Sequence, residues 1–129
     1  MATVLVVDDE PLIRWAVCQV LADAGYGVIE AGSAGEALSR LAEADGEPVA
    51  VAVLDLRLPD CDDLSLLRKV RDCKPRCQVI LMTAHGTPEI LSEAVAAGAF
   101  STMSKPFDLS SIVGTVRAAE EAARAIIIP

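Results

Sequence analysis

Four places in this chain set reactive side chains directly behind a strand-like run, largely apolar in three and weaker in the fourth. Thr3-Val-Leu-Val-Val7 leads into Asp8 and Asp9, followed by Glu10-Pro11. Val49-Ala-Val-Ala-Val-Leu54 leads into Asp55, Cys77-Gln-Val-Ile-Leu-Met82 into Thr83, and Ala99-Phe-Ser-Thr-Met-Ser104 into Lys105. Carboxylates that converge without a partner repel one another, and such clusters are commonly held by a divalent cation. An oxygen ligand set that needs no histidine or cysteine suits Mg²⁺, which keeps several waters and takes one or two carboxylates. An Asp beside such an ion can attack phosphorus and form an aspartyl phosphate. Phosphoryl transfer is mainly positioning and charge neutralisation, so Lys105 would pair with one phosphoryl oxygen and Thr83 would hydrogen-bond another. Taken singly, each residue has a plainer role: Asp55 could start the turn at Leu58-Pro59-Asp60, Asp8 to Glu10 could favour a helix N-terminus, Thr83 could cap a loop and Lys105 could be a solvated charge.

The elements that must bring these residues together follow from periodicity. Short Val-rich runs, apolar at consecutive positions, read as strands buried on both faces, the signature of a parallel sheet covered by helices. Leu12, Ile13, Val17, Val20 and Leu21 recur at helical spacing and predict a first helix that stops near Gly25. Val28-Ile29 gives a short second strand, and Ser33 caps a helix with Ala34, Ala37, Leu38 and Leu41 on one face. Asp45-Gly-Glu-Pro48 closes that helix and delivers the chain to the central strand. Leu64 to Arg71 reads as a third helix, with Leu64, Leu67 and Val70 inward and Arg68, Lys69 and Arg71 on a solvated face. Thr87 caps a fourth helix with Pro88 at its first position, and Gly98 ends it. The last helix carries Leu109, Ile112, Val113, Val116, Ala119 and Ala123 on its buried side. Five strand-helix pairs imply an α/β fold, a five-stranded parallel sheet with helices on both faces and right-handed crossovers. The carboxyl ends of all five strands then share one edge, where ligands collect, and Asp8, Asp9, Asp55, Thr83 and Lys105 meet there.

Composition narrows the function further. A chain of 129 residues, 53% hydrophobic and 23% charged, fits one domain with a real core. A net charge of -8 with 11 Lys and Arg argues against a nucleic-acid surface on this domain, so any DNA contact must belong to another part. There is no 18-residue apolar stretch, and Met1-Ala-Thr-Val enters a strand without a basic flank, so neither a membrane span nor a secretory signal is expected and the location read is cytoplasmic. Cys18, Cys61, Cys73 and Cys77 form no C-x-x-C pair and have one histidine, His85, to join them, which favours free thiols over a zinc site.

Val4-Leu-Val-Val-Asp-Asp-Glu-Pro11, Leu54-Asp-Leu-Arg-Leu-Pro59, Met82-Thr-Ala-His-Gly86 and Gly98-Ala-Phe100 leading to Lys105-Pro106-Phe107 resemble the receiver domain of two-component response regulators. The match runs from about Thr3 to the last helix, with the motifs in order and at the right spacing. The resemblance implies a flavodoxin-like (βα)5 fold of strand order 2-1-3-4-5, an order typical of receiver proteins. It implies that Asp55 accepts a phosphoryl group from the phosphohistidine of a sensor histidine kinase or phosphotransfer protein. Asp8, Asp9 and Asp55 would hold Mg²⁺ together with the backbone carbonyl of Arg57. Thr83 and Lys105 would be the phosphate-sensing hydroxyl and the phosphate-pairing, catalytic lysine, with a cis Lys105-Pro106 bond. Phosphorylation would draw Thr83 and Lys105 inward and change the surface of the fourth helix, fifth strand and fifth helix, which would bind an output domain, a partner or a second copy of the chain. The motif wording looks most like receivers attached to transcriptional activators.

The chain departs from the family pattern in two places. Thr102 stands where an aromatic commonly sits, so a swinging ring is excluded there, and Phe100, two residues earlier, is expected on the same strand face. Asp63 stands where glycine is usual, in Asp60-Cys-Asp-Asp63, and would adopt positive φ at a cost if the turn requires it. Arg57 and His85 flank the site and are candidates to modulate the access of water to an acyl phosphate. Residues 1–124 are read as the receiver domain. The apolar tail 125–129, Ala125-Ile-Ile-Ile-Pro129, is read as the start of a linker to an absent output domain, with dimer packing and a cloning residue as alternatives. On this reading the domain is no enzyme beyond its own phosphoryl transfer and dephosphorylation. The alternatives are a phosphohydrolase with an aspartyl nucleophile, which usually carries Asp-x-Asp after its first strand, and a degenerate receiver that only binds.

Overall fold

Alternation along the central strands explains why they read as unbroken apolar runs. Val4 and Val6, Val51 and Val53, and Ile80 and Met82 face one side of a sheet, while Leu5 and Val7, Ala52 and Leu54, and Val79 and Leu81 face the other. Both sides are covered, so neither set is polar. The computed structural model describes residues 2–44, 48–84, 86–105 and 108–125. Strands and helices alternate as β1 Thr3–Val7, α1 Pro11–Asp23, β2 Gly27–Ala31, α2 Ala34–Glu43, β3 Val49–Asp55, α3 Ser65–Cys73, β4 Gln78–Thr83, α4 Pro88–Ala96, β5 Ala99–Ser104 and α5 Leu109–Ala125. The strands pair in parallel in the order β2-β1-β3-β4-β5, as expected.

Helices α1 and α5 cover the first face through Val17, Cys18, Leu21, Ile112, Val116 and Ala119. Helices α2, α3 and α4 cover the second through Ala37, Leu41, Leu67, Val70 and Ala94. Each fully buried Leu, Ile or Val contributes about 1.5–3 kcal/mol, so the two layers together hold the strand ends in register. Ser33 caps α2 by accepting the Glu36 N–H at 3.1 Å, and Thr87 caps α4 by accepting that of Ile90 at 3.2 Å.

The helix faces differ from expectation in a few places. Leu12 is 82% exposed rather than inward. The buried stripe of α1 passes through Val17, Cys18 and Leu21, and five residues at about 100° each place Leu12 about 140° away from Val17. Leu109, at the first position of α5, is half exposed, and the covered stretch begins at Ile112. Arg71 is not simply solvated: its guanidinium donates to the carbonyls of Cys77 at 2.7 Å and Pro75 at 3.2 Å, tying α3 to the start of β4. Gly98 has φ +104°, and a Cβ there would stand 3.1 Å from Arg71 Nε, so glycine serves both the turn and the contact. The loop at 45–47, His85, the Lys105-Pro106 bond and the tail 126–129 lie outside the described residues.

Candidate phosphoryl-transfer site

The parallel sheet delivers its candidate site residues to one edge because each sits at the carboxyl end of its strand. Asp8 follows β1, Asp55 and Thr83 end β3 and β4, and Lys105 follows β5. Asp8, Asp55 and Thr83 are buried, at 0%, 8% and 3% exposure. Backbone bonds hold their strands together at this edge: Asp8 N–H donates to the Ala31 carbonyl at 3.1 Å, Leu56 to that of Met82 at 2.9 Å, and Lys105 to that of Thr83 at 2.8 Å.

Lys105 is the centre of the constellation. Its Nζ lies 3.1 Å from Asp8 Oδ2 and 3.1 Å from Asp55 Oδ2, with Glu10 Oε1 at 4.0 Å. One ammonium is thus shared between two buried carboxylates from neighbouring strands. Burial pushes the Asp55 carboxyl above its usual range; Lys105 and the Arg57 N–H, which Asp55 accepts at 3.2 Å, offset part of this, and the charge of Asp8 adds to it. Burial acting on Lys105 would lower its pKa, but the bond to Asp8 and the charge of Asp55 outweigh it and hold the ammonium above its usual range. The two directions agree physically: the lysine is well served, and the two acids divide a single counter-charge between them.

The carboxylates of Asp8, Asp9 and Glu10 bring oxygens within 4.8 Å of one another. This all-oxygen set fits a hard divalent cation. Glu10, read from sequence only as a helix-favouring acid, belongs to the cluster, whereas Asp55 stands outside it and is linked to Asp8 through Lys105. Asp8 Oδ1 also accepts the Glu10 N–H at 2.9 Å. The side chain of Arg57 is exposed beside the site, and the turn after it closes with Leu58 and Cys61 bonded backbone to backbone.

Three rim residues, Asp63, Asp60 and Phe100, have particular settings. No non-glycine residue among those described has positive φ, so Asp63 meets no such demand; its Oδ1 instead accepts the N–H of Ser65, the first residue of α3, at 2.9 Å. Both oxygens of Asp60 are engaged at the start of α2, by Ala34 N–H at 2.8 Å and Gly35 N–H at 2.9 Å. Counting two residues back from Thr102 does not by itself place Phe100 on a strand face. The β4–β5 register slips so that Val79 pairs with Ala99 and Ile80 with Ser101, leaving Phe100 as the extra residue of a bulge, across which the two-residue rule fails. Arg14 escaped the sequence reading altogether; its Nη1 donates to the Asp8 carbonyl at 2.7 Å. A cavity of about 620 Å³ lined by Pro48, Lys74, Pro75 and Ala123 lies at the opposite edge, away from all of these charges.

Comparison with known proteins agrees with the geometry. Residues 4–117 match the family model described as the response regulator receiver domain. The chain is 34% identical over 125 residues to the C4-dicarboxylate transport transcriptional regulatory protein DctD of Rhizobium meliloti, a match that covers 97% of this chain and 26% of DctD. It is 36% identical over 116 residues to the DNA-binding transcriptional regulator NtrC of Salmonella typhimurium, covering 90% of this chain and 24% of NtrC. A response regulator receiver domain protein from Methanospirillum hungatei superposes with a TM-score of 0.88 at 27% identity, covering 96% of this chain and 97% of that one. The chain belongs to the receiver domain family of two-component response regulators. It spans about a quarter of the length of DctD and NtrC.

Proposed function

We propose that this domain is a phosphorylation-activated switch in which Asp55 takes a phosphoryl group from a phosphohistidine. An Asp55 carboxylate oxygen attacks phosphorus, the new P–O bond forms as the P–N bond breaks, and the histidine leaves with the electron pair of that bond. The observation that carries this reading is the single ammonium of Lys105 placed 3.1 Å from both Asp8 and Asp55. Two buried acids with one counter-charge form a site short of positive charge, and the acid raised by burial is the one the reaction would modify. Asp8 and Asp9, joined by Glu10, with Asp55 and the Arg57 carbonyl named by the family resemblance, would hold Mg²⁺, which when bound supplies positive charge to the phosphoryl oxygens. Lys105 would move from Asp8 toward the new phosphoryl oxygens, and because its own N–H is bonded to the Thr83 carbonyl, the ends of β4 and β5 would shift together.

The face that would read this shift carries exposed apolar side chains: Val95 on α4 at 63%, Phe100 on β5 at 38% and Leu109 on α5 at 36%. It suits an output domain, a partner or a second copy of the chain. With Thr102 on β5, that response would run through the Thr83–Lys105 coupling and not through a swinging ring. The domain would act in transcriptional control without touching DNA itself, given its charge of -8, and would turn over no substrate beyond its own phosphoryl group. No helix among the described residues is long and apolar enough to cross a membrane.

Intact mass measured with acetyl phosphate and Mg²⁺ tests the reading. A gain of one phosphoryl group that is lost in EDTA and in Asp55→Asn is expected. Absence of the gain, with beryllofluoride also failing to bind, would leave a domain that only binds; steady turnover of a small phosphoester would make it a phosphohydrolase.

A further inference from the structure

The carboxylate cluster sits on a short loop, and something must set the loop's path. Asp8 is the last residue before the turn into α1, and its N–H is held by Ala31 on β2. Its carbonyl accepts from Arg14 Nη1 at 2.7 Å, while Arg14 Nε lies 3.3 Å from Glu30 Oε1, also on β2. Both backbone groups of Asp8 are therefore fixed to β2, one directly and one through a guanidinium. The space for that guanidinium is kept open by a glycine: a Cβ at Gly32 would stand 3.1 Å from Arg14 Nη1, tighter than ordinary contact, and Gly32 needs no positive φ that would otherwise explain it.

We infer that Arg14, steered by Glu30 and Gly32, is a positioning residue for the Asp8-Asp9-Glu10 cation site, so that the end of β2 takes part in setting its affinity. The inference rests on the Mg²⁺ reading above. Its sign separates it from simple electrostatics. A positive charge close to a cation site repels the cation, so removing it should tighten binding; removing a brace should weaken binding despite the gain in negative charge. The Glu30 carboxylate already offsets the Arg14 charge at 3.3 Å, which leaves the brace as the larger effect. Outer-shell partners of metal ligands typically change affinity by about 10–100-fold.

The test is an Mg²⁺ titration followed by amide chemical shifts, which also report whether each variant is folded. Arg14→Ala is expected to bind Mg²⁺ about tenfold more weakly. Gly32→Ala, which leaves every charge in place and crowds Nη1, is expected to shift affinity the same way by a smaller factor, and it decides the matter if Arg14→Ala does not fold. Arg14→Lys, with one donor head for the Asp8 carbonyl, is expected to recover part of the loss. Unchanged or tighter binding in Arg14→Ala, or unchanged binding in Gly32→Ala, overturns the role. Failure of the wild-type chain to bind Mg²⁺ overturns the proposed function itself, a result distinct from either.

Discussion

Two loops at the same edge of the sheet are equally acidic and use their acids in opposite ways. The β3–α3 loop carries Asp60, Asp62 and Asp63. Asp60 accepts two N–H groups from the start of α2, Asp63 bonds to the side chain and then the N–H of Ser65, and these bonds hold both carboxyls below their usual range. The β1–α1 loop carries Asp8, Asp9 and Glu10. Asp8 uses one oxygen on the Glu10 N–H and the other on Lys105, and among the described residues no backbone N–H reaches the side chains of Asp9 or Glu10. A count of acids therefore does not mark a site. A carboxylate whose lone pairs are taken by helix donors is already neutralised by the fold, whereas one that still needs positive charge is free to bind a cation.

Removing acids from the β1–α1 loop is the change expected to have the largest effect. Asp8→Asn with Asp9→Asn should reduce Mg²⁺-dependent phosphorylation by acetyl phosphate to the level of Asp55→Asn, measured by intact mass. Asp60→Ala should leave the Mg²⁺ dissociation constant within about twofold of wild type, because Asp60 is not a ligand, while lowering the melting temperature through the lost contacts to α2. A core change calibrates that loss: Leu67→Ala, fully buried against the sheet, should cost about 2–5 kcal/mol in denaturant titration and exceed it. A large fall in Mg²⁺ affinity in Asp60→Ala would erase the distinction between the loops.

Much of the distinction was legible in the sequence, and the missing part has a physical cause. Asp8, Asp55 and Thr83 could be named because burial on both faces makes β1, β3 and β4 largely apolar runs whose polar ends stand out, whereas β5 carries Ser101, Thr102 and Ser104 and Lys105 stood out by its place in the strand-helix alternation. Asp60 and Arg14 could not, because their partners are backbone groups elsewhere in the chain: Asp60 reaches Ala34, and Arg14 reaches the carbonyl of Asp8 from the next turn of structure. Backbone acceptors leave no residue-type signal. The bulge at Phe100 carries no glycine or proline to announce it, so alternation was extended across a position where it does not hold. Leu12 misled for the converse reason, being apolar yet off the stripe.

The sign of a pH dependence sharpens the same contrast. Asp55 has a raised carboxyl in the fold, so it favours the folded state below the unfolded value and loses that contribution as pH rises through the folded one. Asp60 has a lowered carboxyl, so its contribution is present above the unfolded value and is lost as pH falls through the folded one. In EDTA at pH 7, Asp55→Asn should therefore melt above wild type and Asp60→Asn below it. Both differences should shrink as the pH falls into and below the ordinary carboxylate range, where the native acids are protonated. Melting curves from pH 7 to pH 3 check this, and shifts of the same sign in both variants would contradict it.

The smallest effect is expected at Asp63, where the family's usual glycine can be restored. Asp63→Gly would be neutral or stabilising if the loop held this residue at positive φ, since glycine reaches that region without strain. Asp63 has no such φ, and its carboxylate accepts the Ser65 N–H at the start of α3, so the glycine removes that bond and adds freedom to the unfolded chain. The melting temperature of Asp63→Gly should fall slightly, Asp63→Asn, which keeps an acceptor oxygen, should fall less, and both should keep wild-type phosphorylation. A rise in Asp63→Gly would mean that this loop strains its aspartate after all, and that the two acidic loops are less different than their hydrogen bonds make them.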